Sequence, residues 1–245
     1  MQSISANLNI MIKAAEKASR ALIRDFGEIE KLQVSRKGPA DFVNNSALKA
    51  EKIIIEELKK ARPYYSSITE KNGIDENKDK NNTWLIDPIN GSVNFLHGIP
   101  HFAITIALKA KDEIVSGLTF DPIKNEMFYA EKDNGAFFNN YRIKVSKKNE
   151  LNECLFATGS KLEYDTDISY RKSGSIALDL AYVASGRYDG YFQKNLNLWD
   201  IAAGIILVQE AGGLVSNVNF ESLNNINIVS STPDINQKLK DIANF

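Results

Sequence analysis

The stretch Trp84-Leu85-Ile86-Asp87-Pro88-Ile89-Asn90-Gly91-Ser92-Val93-Asn94-Phe95 constrains the fold more than any other part of the chain. An apolar strand runs straight into an acid, a proline and a glycine. Such a strand end carries a carboxylate out of a sheet and turns sharply, exposing side-chain and backbone oxygens together. That arrangement suits a hard, oxygen-seeking cation such as Mg²⁺. The same residues also read as an ordinary strand turn, because Asp-Pro and Asn-Gly are common turn dipeptides.

The rest of the chain is ordinary globular material. Its 245 residues, 43% hydrophobic and 25% charged, suffice for one large domain or two intimate halves. Thirty basic residues against 31 acidic ones leave no field for a nucleic acid or a membrane surface, so neither is expected as a direct partner. A single cysteine, Cys154, excludes a disulfide framework and a cysteine-based zinc cluster. His97 and His101 stand four apart, but no neighbouring acid or cysteine completes a zinc site, and they read as structural. Met1-Gln2-Ser3-Ile4-Ser5 lacks a charged-then-apolar signal pattern and no long apolar run follows, so a cytoplasmic protein is expected.

Periodicity places the elements. Leu8, Met11, Ala14, Ala15, Ala18, Ala21 and Leu22 recur at helical spacing over 5–26. A second helix is expected over 46–61, capped by Asn45 or Ser46 and stopped by Pro63. The charged stretch 71–82 reads as a loop. Strands are expected near 84–87, 102–110, 113–120, 126–131 and 136–138. Beyond them come a helix at 175–186, a strand at 188–193, a helix at 200–211, strands at 214–218 and 227–231, and a helix at 234–243. Helices and strands alternate in pairs, so the class is mixed α/β (α+β), with sheets covered by helices.

The first stretch, continued by Leu96-His97-Gly98-Ile99-Pro100-His101-Phe102, resembles the Asp-Pro-Ile-Asp-Gly-Thr-x-Asn-Phe signature of the inositol monophosphatase family of Mg²⁺-dependent phosphomonoesterases. Trp199-Asp200-Ile201-Ala202-Ala203-Gly204 resembles the family's second signature, Trp-Asp-x-Ala-Ala-Gly. The similarity spans nearly the whole chain and points to the bacterial branch that includes the extragenic suppressor protein. It implies a layered α-β-α-β-α sandwich and a homodimer. It also implies an N-terminal half, 1–145, carrying most metal ligands, and a C-terminal half, 146–245, carrying the second signature and the substrate side.

The resemblance also implies a site. Glu70, Asp87, Asn90, Asp200 and the Ile89 carbonyl fall at the metal-ligand positions. Ser92 and Glu70 fall at the catalytic ones. Asn90, Gly91, Ser92, Gly174, Ser175, Gln193 and Asp200 fall on the substrate side. Taken singly, Glu70 reads as a solvated loop acid, Asp87 as a turn former and Asp200 as a helix N-cap. Asp179 and Arg187 read as helix-face charges.

Several positions depart from the family pattern. Asn90 stands where the family has Asp, although an amide oxygen can still coordinate a hard cation. Lys71 stands in place of the second Glu of a Glu-Glu pair. Ala47 takes the place of an Asp held close to the nucleophilic water. Gln193 stands for a Glu, Ile176 for a small residue, and Ser160–Ser173 form a shortened connection.

Mg²⁺ is thus the implied cofactor, with weakened binding expected. The implied substrate is a small phosphorylated polyol or sugar. Hydrolysis of inositol or sugar phosphate monoesters is expected to be weak or absent. The alternatives are a regulatory protein that binds a protein partner in ribosomal RNA transcription, and a fully active inositol-1-monophosphatase.

Overall fold

Along the strand carrying the first acid, Trp84 and Ile86 turn one way and Leu85 the other, and each face meets different helices. In the computed structural model, which describes residues 4–33, 39–160, 168–216 and 218–244, this alternation generates the layers. Two helices, α1 (Ala6–Gln33) and α2 (Pro39–Ala61), precede the first sheet. Its strands are β1 (Tyr65–Thr69), β2 (Gly73–Asp75), β3 (Asp79–Asn90), β4 (Ala103–Ala110), β5 (Glu113–Asp121), β6 (Glu126–Glu131), β7 (Gly135–Phe138) and β8 (Tyr141–Ile143). A short α3 (Ser92–Leu96) leaves the end of β3. The second sheet holds β9 (Leu155–Ala157), β10 (Ser169–Arg171), β11 (Gly190–Leu196), β12 (Leu214–Val215) and β13 (Ile226–Ser231). Helices α4 (Ile176–Ala184), α5 (Leu198–Glu210) and α6 (Asn236–Ala243) complete the described chain.

The order β2-β1-β3-β4-β5-β6-β7-β8 makes one sheet and β10-β9-β11-β13-β12 the other. Leu8, Met11, Ala15, Ala18 and Leu22 of α1 pack with Ala47, Ala50, Ile54 and Leu58 of α2 on the face bearing Trp84, Ile86, Ile104 and Ile106. Leu85, Ala107, Phe128 and Ala130 on the opposite face meet α4 and α5, which also cover Tyr191, Ile226 and Ile228 of the second sheet. Phe156, Phe192 and Val229 then face Ile235, Leu239 and Ala243 around α6. The result is the expected α-β-α-β-α sandwich. Its middle helical layer shares one core with both sheets.

Several elements differ from expectation. α2 begins at Pro39, so Asn45 and Ser46 lie inside the helix and do not cap it. A proline suits a first helical turn because its missing N–H has no partner to lose there. The 71–82 stretch is not a plain loop, since β2 and the start of β3 fall within it. Arg187 lies beyond α4, where its guanidinium pairs with both Glu126 oxygens at 2.8 Å and sits 4.7 Å from the Tyr182 ring. Asp179 is buried instead of facing solvent. Part of the shortened connection, 161–167, lies outside the described residues.

Candidate active site

Two acids come together because β1 and β3 are parallel neighbours. Thr69 pairs with Ile86, so Glu70 and Asp87 leave the same end of adjacent strands, and the Glu70 N–H donates to the Ile86 carbonyl at 3.2 Å. β3 pairs with β4 up to Asp87, then slips before Asn90. In that irregular step the Asp87 carboxylate turns back on its own chain and accepts the Ile89 N–H at 2.9 Å. Gly91 follows at φ 102, and a Cβ there would lie 3.1 Å from the His101 carbonyl and 3.2 Å from that of Gly174. The third acid, Asp200, stands in the first turn of α5, where its Oδ2 accepts the Asn197 backbone N–H at 3.2 Å and side-chain amide at 3.1 Å. It is therefore the third helical residue, with Asn197 as the cap.

These residues line one cleft of about 180 Å³. Its walls are Glu70, Asp87, Ile89, Asn90, Gly91 and Ser92, with Val93, Gly174, Ile176 and Asp200. Eight of the sequence-derived site residues thus share one space.

Ser175 and Gln193 do not line this cleft. Ser175 caps α4 from behind Asn90 and donates its hydroxyl to the Asn90 side-chain oxygen at 3.0 Å. Gln193 accepts the Tyr191 hydroxyl at 2.7 Å and the Gly159 N–H at 2.9 Å. Ala47 is buried in the α1–α2 core and does not face the cleft lining. His101 sets its Nδ1 3.2 Å from the Lys124 ammonium, outside the cleft.

The electrostatics are those of acids crowded together. Burial pushes the Asp87 carboxyl well above its usual range, and the Glu70 and Asp200 charges push it further. Burial likewise raises Asp200 to about 6, against the pull of its Asn197 hydrogen bonds. One Glu70 oxygen accepts the Lys71 ammonium at 2.9 Å, while the other is buried without a partner. The Asn90 side-chain oxygen is turned away from the acids, because it accepts the Ala177 N–H at 2.9 Å and the Ser175 hydroxyl. The NH₂ of the same amide faces the acids instead, 2.9 Å from Asp87 Oδ2 and a looser 3.5 Å from Asp200 Oδ1.

One residue escaped the sequence reading. Glu51 on α2, fully buried, accepts the Thr69 hydroxyl at 2.8 Å, the backbone N–H groups of Lys71 and Asn72 at 3.1 Å each, and the Asn72 amide at 2.6 Å. It fastens the turn that carries Glu70. The signal was its place on the apolar face with Ala47, Ala50, Ile54 and Leu58.

The model of the inositol monophosphatase family matches residues 4–243. The chain belongs to the inositol monophosphatase family. It is 45% identical to the inositol-1-monophosphatase of Caulobacter vibrioides over 226 residues, 85% of this chain and 88% of that one. It is 38% identical to the Nus factor SuhB of Escherichia coli K12 over 224 residues, covering 85% of this chain and 84% of the relative. The crystal structure of extragenic suppressor protein suhB from Bartonella henselae superposes with a TM-score of 0.88 at 40% identity, covering 98% of this chain and 100% of that one.

The family's Mg²⁺ requirement can be set against this cleft. The orphaned Glu70 oxygen, with the Asp87 and Asp200 carboxylates in the same cleft, offers the hard oxygens a divalent cation takes, and such an ion would neutralise a bound phosphate. Glu70, Asp87 and Asp200 would hold it. Among the described residues no three His, Cys, Asp or Glu side chains are already gathered closely enough to hold an ion at once. Within the cleft Asn90 presents an amide NH₂, not an oxygen, to Asp87.

Proposed function

We propose that this chain is an inositol monophosphatase-family protein that binds a phosphorylated polyol or sugar but hydrolyses it weakly or not at all. What carries the reading is that the protein's own donors occupy its acids. Lys71 sits on Glu70, Asn90 on Asp87, and Asn197 on Asp200. Metal-assisted phosphate hydrolysis needs such oxygens to hold the ions that neutralise phosphate and acidify water. With fewer free oxygens, Mg²⁺ binds weakly. Ala47 offers no acid to hold a water, which leaves the Ser92 hydroxyl to orient it. Ile176 narrows the wall where a sugar ring would rest. A cytoplasmic homodimer, with halves at 1–145 and 146–245, belongs to the same reading.

A second reading, a partner-binding regulatory protein on this fold, draws on the relatives named Nus factor SuhB. Phosphate release from inositol monophosphate in Mg²⁺ separates these readings from a fully active inositol-1-monophosphatase. Turnover at least about a thousandfold below an intact member is expected, equal to about 4 kcal/mol of barrier. Ordinary turnover overturns the proposal. The double change Lys71→Glu, Asn90→Asp should restore hydrolysis of p-nitrophenyl phosphate more than of inositol phosphate. Ile176 would still crowd the ring and Gln193 would still be tied to Gly159. Equal recovery of both substrates would refute the pocket argument.

A further inference from the structure

We infer that the Asn90 amide group bridges Asp87 and Asp200 in place of a cation, so that the cleft takes at most one divalent ion. This rests on the reading above and sharpens it from weakened metal binding to a definite stoichiometry.

The orientation of the amide decides the matter, and the surroundings fix it. Ala177 lies in the first turn of α4 and its backbone N–H can only donate. It therefore demands an oxygen from Asn90. The Ser175 hydroxyl, 3.0 Å from the same oxygen and 3.1 Å from the Asn90 carbonyl, adds a second donor from the same helix start. On the other side Asp87 Oδ2 and Asp200 Oδ1 can only accept when ionised, and the NH₂ faces both.

Rotating the amide by half a turn would set nitrogen against the Ala177 N–H and oxygen against two carboxylates. Ala177 is fully buried, so no water relieves the mismatch at its N–H. A buried donor left without an acceptor costs about 1–3 kcal/mol. The oxygen is thus held on α4, and the edge of Asn90 facing the acids repels a cation.

An aspartate at this position would behave differently. One oxygen could keep the Ala177 N–H while the other turned to the acids as a cation ligand. The same backbone donor that locks Asn90 in a metal-excluding pose would pre-orient Asp in a metal-binding one. Lys71 acts apart from this, since it neutralises Glu70 and does not line the cleft.

The test counts ions. Mn²⁺ bound to the full-length chain is measured by the loss of its free paramagnetic signal and by calorimetric titration, for the unmutated protein and for Asn90→Asp. At most one Mn²⁺ per chain is expected for the unmutated protein. Asn90→Asp is expected to gain one further ion. Two or more ions on the unmutated chain overturn the inference, and so does a folded Asn90→Asp that gains none. If Asn90→Asp does not fold, the count on the unmutated chain decides alone. Phosphate release in the same preparations keeps the two claims apart. Ordinary turnover with one ion would overturn the weak-hydrolysis reading and leave the bridge standing. Two ions without turnover would do the reverse.

Discussion

Glu51→Ala should loosen the turn that carries Glu70, and the structure sets the size of the effect. Three donors converge on Glu51 Oε1: the Thr69 hydroxyl, the Asn72 N–H and the Asn72 side-chain amide. A fourth, the Lys71 N–H, reaches Oε2. After removal the Asn72 N–H keeps the Thr69 hydroxyl oxygen at 3.1 Å, and the exposed Asn72 amide turns to water. The Thr69 hydroxyl and the Lys71 N–H are left without their strong acceptor. At about 1–3 kcal/mol for each stranded group, the loss is about 3 kcal/mol. For a chain of this size that lowers the unfolding temperature by roughly 6–12 °C.

Glu51→Gln keeps Oε1 and sets an amide nitrogen only against the Lys71 N–H, so about 1.5 kcal/mol and roughly 3–6 °C are expected. Calorimetric melting of the three proteins gives the order. Amide exchange at Lys71 and Asn72 shows whether the turn itself has opened. Equal losses for Gln and Ala, or an Ala variant within about 2 °C of the parent, would refute the reasoning.

Burial lifts Asp179 to about 7, against the pull of its Ser173 hydrogen bond, so the folded protein holds this proton far more tightly than the unfolded chain does. Its contribution to stability is full below about pH 4 and is lost as pH rises through about 7, an effect on the order of a few kcal/mol. Asp179→Asn should flatten the fall in urea midpoint over that window without abolishing it, because Asp87 and Asp200 shift the same way; an unchanged slope would contradict this. Gly174→Ala should lose about 1–3 kcal/mol. Gly174 sits at φ 87, and its new Cβ would press to 2.8 Å on the Asn94 amide that holds the His101 and Ser173 carbonyls. An unmoved urea midpoint would show that the loop gives way freely.

Much of this was legible in sequence where burial follows apolar periodicity. The face of α1 is Leu8, Met11, Ala14, Ala15, Ala18, Ala21 and Leu22, all buried as their spacing requires. β1 escaped because Tyr65-Ser66-Ser67-Ile68-Thr69 looks polar. Its serines are nonetheless buried, and Ser66 finds the Asp79 carbonyl at 3.3 Å. The convergence of Glu70, Asp87 and Asp200 on one cleft followed from two motifs in register. The direction of the Asn90 amide could not be read that way. It is set by the N–H of Ala177, 87 residues further along the chain. Glu51 was passed over because its partners, Thr69, Lys71 and Asn72, lie in and beside a stretch read as loop.

The three acids of the cleft are mounted differently. Asp87 is cast into the buried end of a twelve-residue strand, and Asp200 into a thirteen-residue helix packed between the two sheets. Glu70 rides on a hairpin whose outer strand, Gly73–Asp75, is wholly exposed and which Glu51 pins from below. Two jaws are therefore rigid and one is adjustable. Heritable change can lengthen, shorten or recharge the hairpin side while the sandwich keeps its packing, whereas change at either fixed jaw disturbs the core itself. Lys71 stands on the adjustable jaw, where a new charge could arrive without the fold having to give way.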